Sequence, residues 1–172
     1  MSLKSLLNED PVYERFIRIR DTALASISTE TILREAEFLH SNRKARKLNG
    51  SKLSPNAVME ALANELSNRS RLAELRVSVM KSNELLSTAL SSIKRHIRVK
   101  YDRELRELGS TQNDRVAVLD RLLGKSNDFK AQLDHLESVL DVYIKDIDQS
   151  AFNLRNTTEL LKLFLDRRAT EI

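Results

Sequence analysis

No glycine or proline lies between Pro55 and Gly109, and the whole chain of 172 residues holds only three glycines and two prolines, both prolines in its first third. Proline removes a helical N–H and glycine costs backbone entropy, so these are the residue types that interrupt helices. A chain so poor in them can run helical over most of its length. What remains to be read is which side of each helix is apolar and where one segment gives way to the next.

Asp10-Pro11 is the first start signal, an N-cap acceptor followed by proline at the first helical position. Val12, Phe16, Ile19, Ala23 and Ile27 then form one apolar stripe. Ser28 or Thr29 caps a second helix, with Ile32, Ala36 and Leu39 on its covered side, running toward Leu48 and ending near Asn49-Gly50. Ser54-Pro55 starts a third, whose stripe is Leu62, Leu66, Leu72, Leu75, Val79, Leu86, Leu90, Ile93, Ile97 and Leu108. Unbroken from 55 to 108 it would reach roughly 80 Å. A break near Ser67-Asn68, or an extended hairpin or oligomer, is therefore expected.

Leu108-Gly109-Ser110-Thr111 is the strongest turn signal, with Gly109 suited to a left-handed C-cap and Thr111 with Asp114 to a capping box. Beyond it Leu119, Leu122, Ser126, Phe129, Leu133, Leu136, Leu140, Tyr143, Ile147, Ala151, Leu154, Thr158, Leu161 and Leu165 keep a heptad-like rhythm. Gly124 lies inside this pattern at a cost of about 1 kcal/mol. Asp148-Gln149-Ser150 and Asn156-Thr157 are candidate interruptions. The expected fold is all-α: long amphipathic helices forming an antiparallel helical hairpin or coiled coil with shorter N-terminal helices. Residues 1–53 are a basic N-terminal helical segment and 54–172 the hairpin, turning at 108–111. Leu133, Leu136, Leu140, Ile147, Leu154 and Leu161 are the expected oligomerisation seam.

Composition narrows the chemistry. Cysteine is absent, which excludes disulfides and thiolate catalysis and fits a reducing compartment. The apolar run at the amino terminus is too short for a signal peptide, and none approaches the roughly 20 residues of a membrane span, so a cytoplasmic protein is expected. His40, His96 and His135 are far apart and lack ligand partners at helical spacing, so no metal site is expected. No glycine-rich loop offers phosphates a cradle of N–H groups. Asp134, Glu137, Asp141 and Asp146 recur at three- and four-residue spacing, but those are the outward positions of a heptad helix. Neither a catalytic constellation nor a cofactor is expected.

Charge is the informative feature. The formal net charge is +4, yet residues 1–106 hold 20 Lys/Arg against 13 Asp/Glu while residues 107–172 hold 9 against 12. Arg43, Lys44, Arg46, Lys47 and Lys52 form one basic cluster, with no acidic residue between Glu37 and Glu60. The segment from Lys94 to Arg106 forms another. With Ile93, Ile97 and Leu108 facing the core, Arg95, Arg103 and Arg106 point outward and Lys94, Arg98 and Lys100 lie on the flanks. Arg69 and Arg71 extend the track. Such a track suits sequence-independent, salt-dependent contact with nucleic-acid phosphates, with Tyr101 placed to stack a base. The competing reading makes Tyr101 a boundary core residue and pairs the cations with acids of this chain.

The run Leu154-Arg155-Asn156 with Phe152 and Phe164, and the stretch Glu65 to Gly109 with its basic and aromatic end before a glycine turn, resemble the tailed-phage recombination mediators, the UvsY-like family. On that resemblance Lys94, Arg95, Arg98, Lys100, Tyr101 and Arg103 fall where the family contacts single-stranded DNA. It implies a small helical homo-oligomer that binds single-stranded DNA and helps load a RecA-type recombinase in place of single-strand binding protein. The chain departs from the family by an extra basic amino-terminal section, and the helix around Glu35-Ala36 is an alternative match to the family's first conserved part. The alternative function is a coiled-coil adaptor, scaffold or assembly chaperone whose basic faces meet an acidic protein. A regulatory subunit of an enzyme is a third expectation.

Overall fold

A computed structural model describes residues 2–48 and 53–170, apart from the side chains of residues 165 and 168–170. Its regular elements are all helical: α1 (Leu3–Asn8), α2 (Pro11–Ser26), α3 (Thr29–Ser41), a 3₁₀ turn (Lys44–Lys47), α4 (Pro55–Lys100), α5 (Asp102–Leu108), α6 (Gln112–Leu122) and α7 (Gly124–Thr170). They gather into two compact units, the first made of Met1–Thr29 and Val79–Leu136, the second of Glu30–Ser78 and Glu137–Ile172. Each unit thus takes a short N-terminal piece and a stretch of both long helices.

Local capping explains where the helices begin. The Asp10 side chain accepts from the Val12 N–H at 2.9 Å, with Pro11 at the first helical position. Ser54 accepts from the Ala57 N–H at 3.2 Å ahead of Pro55. Thr111 and Asp114 form a reciprocal capping box, their two backbone-to-side-chain bonds measuring 3.0 and 3.1 Å. A short helix before Asp10, α1, has no counterpart in the sequence reading. Ser2 caps it, and it buries Leu3 and Leu7.

Several boundaries are corrected. The long α4 passes through Ser67-Asn68 without interruption and ends instead at Tyr101, whose φ of -117° and ψ of 32° are not helical. That break re-phases the next turn, so Leu105 is buried while Leu108, expected to face the core, is exposed. Val12 and Leu66, also expected inside, are exposed. The second helix stops at Ser41, and the basic cluster after it forms the 3₁₀ turn; Asn49, Gly50 and Lys52 lie outside the described residues. Gly124 begins α7 rather than sitting within a helix, and α7 continues past 148–150 and 156–157. Gly109 has φ -151° and ψ 117°, extended rather than left-handed. Glycine is needed there for room, because a Cβ would stand 2.8 Å from Asp114 Cβ and 2.9 Å from the Arg115 nitrogen.

Within the second unit the stretches of α4 and α7 run antiparallel. Arg69 pairs with Asp148 and Arg76 with Asp141 in the second unit, and Asn83 Nδ2 donates to Asp134 at 2.8 Å in the first. The two pairs of the second unit are spaced seven residues apart along each of the two helices, in opposite directions. Between them lies the apolar seam: Phe129, Leu133 and Leu136 with Leu86, Leu90 and Ile93 among the buried residues of the first unit, and Leu140, Ile147, Ala151 and Leu154 with Val58, Ala61, Leu72 and Leu75 among those of the second. Leu161 is half-buried and packs against the Val58, Ala61 and Leu154 cluster. The residues expected to join subunits are therefore largely covered within one chain, because the apolar stripes of α4 and α7 satisfy each other.

Leu140 is fully buried, so Leu140→Ala is expected to lower the unfolding free energy by roughly 3 kcal/mol. Chemical denaturation together with sedimentation checks this. A stability loss with unchanged mass fits an intramolecular seam, whereas a loss of mass at unchanged helicity would assign Leu140 to a contact between chains.

Candidate nucleic-acid interface

The end of α4 is held by a carboxylate from the start of the chain. Asp10 is buried, and its Oδ2 receives Tyr101 OH at 2.7 Å, His96 Nε2 at 2.8 Å and Lys100 Nζ at 3.0 Å, while Oδ1 serves as the α2 cap. Lys100 Nζ also lies 5.3 Å from the Tyr101 ring centroid. Burial pushes the Asp10 carboxyl pKa upward, but the bonds from His96, Tyr101, Lys100 and the Val12 amide overcome it and hold the group well below the usual carboxylate range. Lys100 is raised by its bond to Asp10, and Tyr101 is raised by burial and then by Asp10.

This arrangement re-sorts the predicted cations. Tyr101, only 7% exposed, has its hydroxyl committed to Asp10 and its ring in the core. It is not an open stacking platform. Lys94 is half-buried and bonds Asp120 at 2.8 Å. Arg95 and Arg98 are exposed; Arg98 acts on Asp120 electrostatically, and Arg95 makes no ion pair among the described residues. Arg106 is exposed and pairs with Asp102 at 2.8 Å. Arg103, with 89% of its side chain exposed, approaches Glu107 only to 3.6 Å. Within the 94–106 segment Arg95, Arg98, Arg103 and Arg106 thus face solvent, beside Lys100, whose ammonium is tied to Asp10.

The second basic cluster is largely spent within its own unit. Arg43 is 2% exposed, its Nε bonding both Glu65 oxygens at 2.9 and 3.0 Å and another guanidinium nitrogen bonding Asp146. Its expected outward position is corrected: the nearest acids in sequence are distant, but packing brings Glu65 and Asp146 to it. His40 Nε2 lies 2.7 Å from Asp146, and the ring stacks on Tyr143 at 4.0 Å. Burial raises the Asp146 pKa, but the bonds from His40 and Arg43 bring it below its usual value. Arg46 reaches the same carboxylate at 3.5 Å, and Lys44 pairs with Glu60. Lys47 is exposed. Arg69 holds Asp148 at 2.5 Å, and Arg71 holds Glu35 at 2.7 Å and Glu74 at 3.0 Å.

Asp10, Glu65, Asp146 and Asp120 are the residues sequence reasoning missed as partners. Asp10 was legible only as a cap, and nothing local links it to residues 86 to 91 positions away. Among the described residues no group of His, Cys, Asp or Glu is arranged to hold a metal ion, and no helix is long and apolar enough to cross a membrane. No protein-family model, curated protein or solved structure matches the chain.

Two outcomes test these clusters. Because the Asp10 pKa is depressed in the folded state, its contribution is fully present above about pH 4, the unfolded value, and is lost as pH falls through the folded value. Asp10→Asn is therefore expected to cost roughly 2 kcal/mol near neutrality, with a gap from the parent that narrows below about pH 4 in denaturation series; a gap independent of pH would contradict an ionised Asp10. Arg43→Ala strands the Glu65 charge and is expected to cost about 3–5 kcal/mol, most of it recovered by adding Glu65→Leu. A double-mutant cycle showing plain additivity would contradict the pairing.

Proposed function

We propose that this chain is a non-enzymatic helical protein that binds single-stranded DNA along Arg95, Arg98, Arg103 and Arg106. In keeping with its resemblance to the recombination mediators, its task is then to help load a RecA-type recombinase where single-strand binding protein would otherwise sit. The observation that carries the reading is the exposure of these four guanidinium groups along α4 and α5, whose apolar sides are already occupied by Ile93, Ile97, Tyr101 and Leu105. Exposed ion pairs such as Arg103 with Glu107 and Arg106 with Asp102 contribute only about 0–1 kcal/mol. A phosphate can replace the carboxylate at little cost, and contact through phosphates carries no base specificity.

Self-association would multiply these individually weak contacts along one strand. Since the α4–α7 seam is filled within the chain, the surface offered for it is the exposed apolar group Leu160, Leu163 and Phe164 near the end of α7. A coiled-coil adaptor or scaffold is the second reading. It is favoured by the number of predicted binding cations, Lys44, Arg46, Arg69, Arg71, Lys94 and Lys100, already held in ion pairs.

Titration of a labelled single-stranded oligonucleotide separates the two. Four phosphate contacts predict a log–log salt slope near -3, or roughly a hundredfold loss of affinity between about 50 and about 300 mM salt. Replacing Arg95, Arg98 and Arg103 together by Ala is expected to reduce the slope by about 2. Affinity indifferent to salt, or to that triple replacement, rejects the site; no binding at low salt together with capture of a defined protein partner supports the adaptor.

A further inference from the structure

The geometry points to a phosphate-binding site at the start of α7, formed by Gly124, Lys125 and Ser126 with Arg121, Arg20 and Tyr13. It is separate from the Arg95 track and does not rest on it. These residues line a cavity of about 260 Å³ within the first unit, and no carboxylate lines it.

Four features converge there. First, α7 opens with no acidic residue in its first turn and follows Leu123, which has no side-chain acceptor. The Ser126 and Asn127 N–H groups bond the Leu123 carbonyl at 2.9 and 3.0 Å. The positive end of a long helix with no acid in its first turn favours an anion. Second, Arg121 and Lys125 are exposed and make no ion pair among the described residues, and Arg20 adds a guanidinium that keeps Asp21 at 2.7 Å.

Third, Ser126 is 1% exposed yet lines the cavity, and its hydroxyl has no hydrogen-bond partner among the described residues. The hydroxyl is not among the fully buried unpaired side-chain atoms, so its small exposed area opens on the cavity, where a phosphate oxygen can accept from it. Fourth, a Cβ built on Gly124 would meet nothing within 4 Å, and its φ is not positive. Neither packing nor conformation demands glycine at this helical position, where alanine is the better residue; close approach of a ligand to the backbone does. Gly-Lys-Ser are also the residue types that end phosphate-binding loops. Here they are entered from a helix rather than a glycine-rich loop, so the site suits one phosphate group and not a wrapped triphosphate.

Inorganic phosphate is the first probe, followed by calorimetry and thermal melting against chloride of matched ionic strength. The parent is expected to bind phosphate saturably and to melt at a higher temperature with it. Gly124→Ala is expected to raise the melting temperature without phosphate while weakening phosphate binding about tenfold or more, and Arg121→Gln with Lys125→Gln to weaken it comparably. No phosphate-specific effect, or equal affinity in parent and variants, overturns the site. Two oligonucleotides of one sequence, with and without a terminal phosphate, identify the source. A preference for the phosphorylated strand that Gly124→Ala abolishes assigns a nucleic-acid end, and equal affinity with phosphate binding intact assigns a free phosphate ligand. Loss of the Arg95 track's binding leaves the phosphate titration unchanged, so the two readings fail separately.

Discussion

The packing of the α7 apolar stripe on α4 is the constraint from which the rest follows. Phe129, Leu133, Leu136, Leu140, Ile147, Ala151 and Leu154 are buried along one side of α7, and with that side covered the charged positions between them have fixed neighbours. In the second unit Arg69 and Arg76 meet Asp148 and Asp141 at a seven-residue interval because the seam sets the register, and in the first Asn83 meets Asp134. The same burial closes the surface that the heptad pattern alone offers to a second subunit.

Two buried carboxylates do a different kind of work. Asp10 in the first unit and Glu65 in the second are each removed from water and each bonded to cationic donors, Asp10 by Lys100 and His96 with Tyr101 and Glu65 through both oxygens by Arg43, the condition under which an ionised group is tolerated inside a protein. Asp10 fixes α2 against the last turn of α4 at the point where Tyr101 ends that helix. Glu65 fixes the 3₁₀ turn through Arg43, and Asp146 gathers Arg43, Arg46 and His40 beside it. Both clusters consume cations that the sequence presents as available for a polyanion.

What remains for an anionic partner is narrower than the charge count suggests. In the 94–106 segment the groups facing solvent are Arg95, Arg98, Arg103 and Arg106, with Lys100 tied to Asp10. The proposed phosphate site lies elsewhere, at the head of α7, and uses arginine and lysine residues outside both basic clusters. The cations of the front half are divided between ion pairs within the chain and a few exposed guanidinium groups.

The all-helical architecture, the caps at Asp10, Ser54 and Thr111, and the buried series Leu133, Leu136, Leu140, Ile147 and Leu154 were legible in the residues themselves, because capping and amphipathic periodicity act over a turn or two of chain. The ending of α4 at Tyr101, the outward turn of Leu108 and the burial of Arg43 were not. Each depends on a partner far along the chain: Asp10 lies 91 residues from Tyr101, and Asp146 lies 103 from Arg43. Sequence determined which side chains are apolar and which are charged; only tertiary packing decided which charges meet an opposite charge, since electrostatic pairing depends on distance in space and helical spacing records distance along one helix alone.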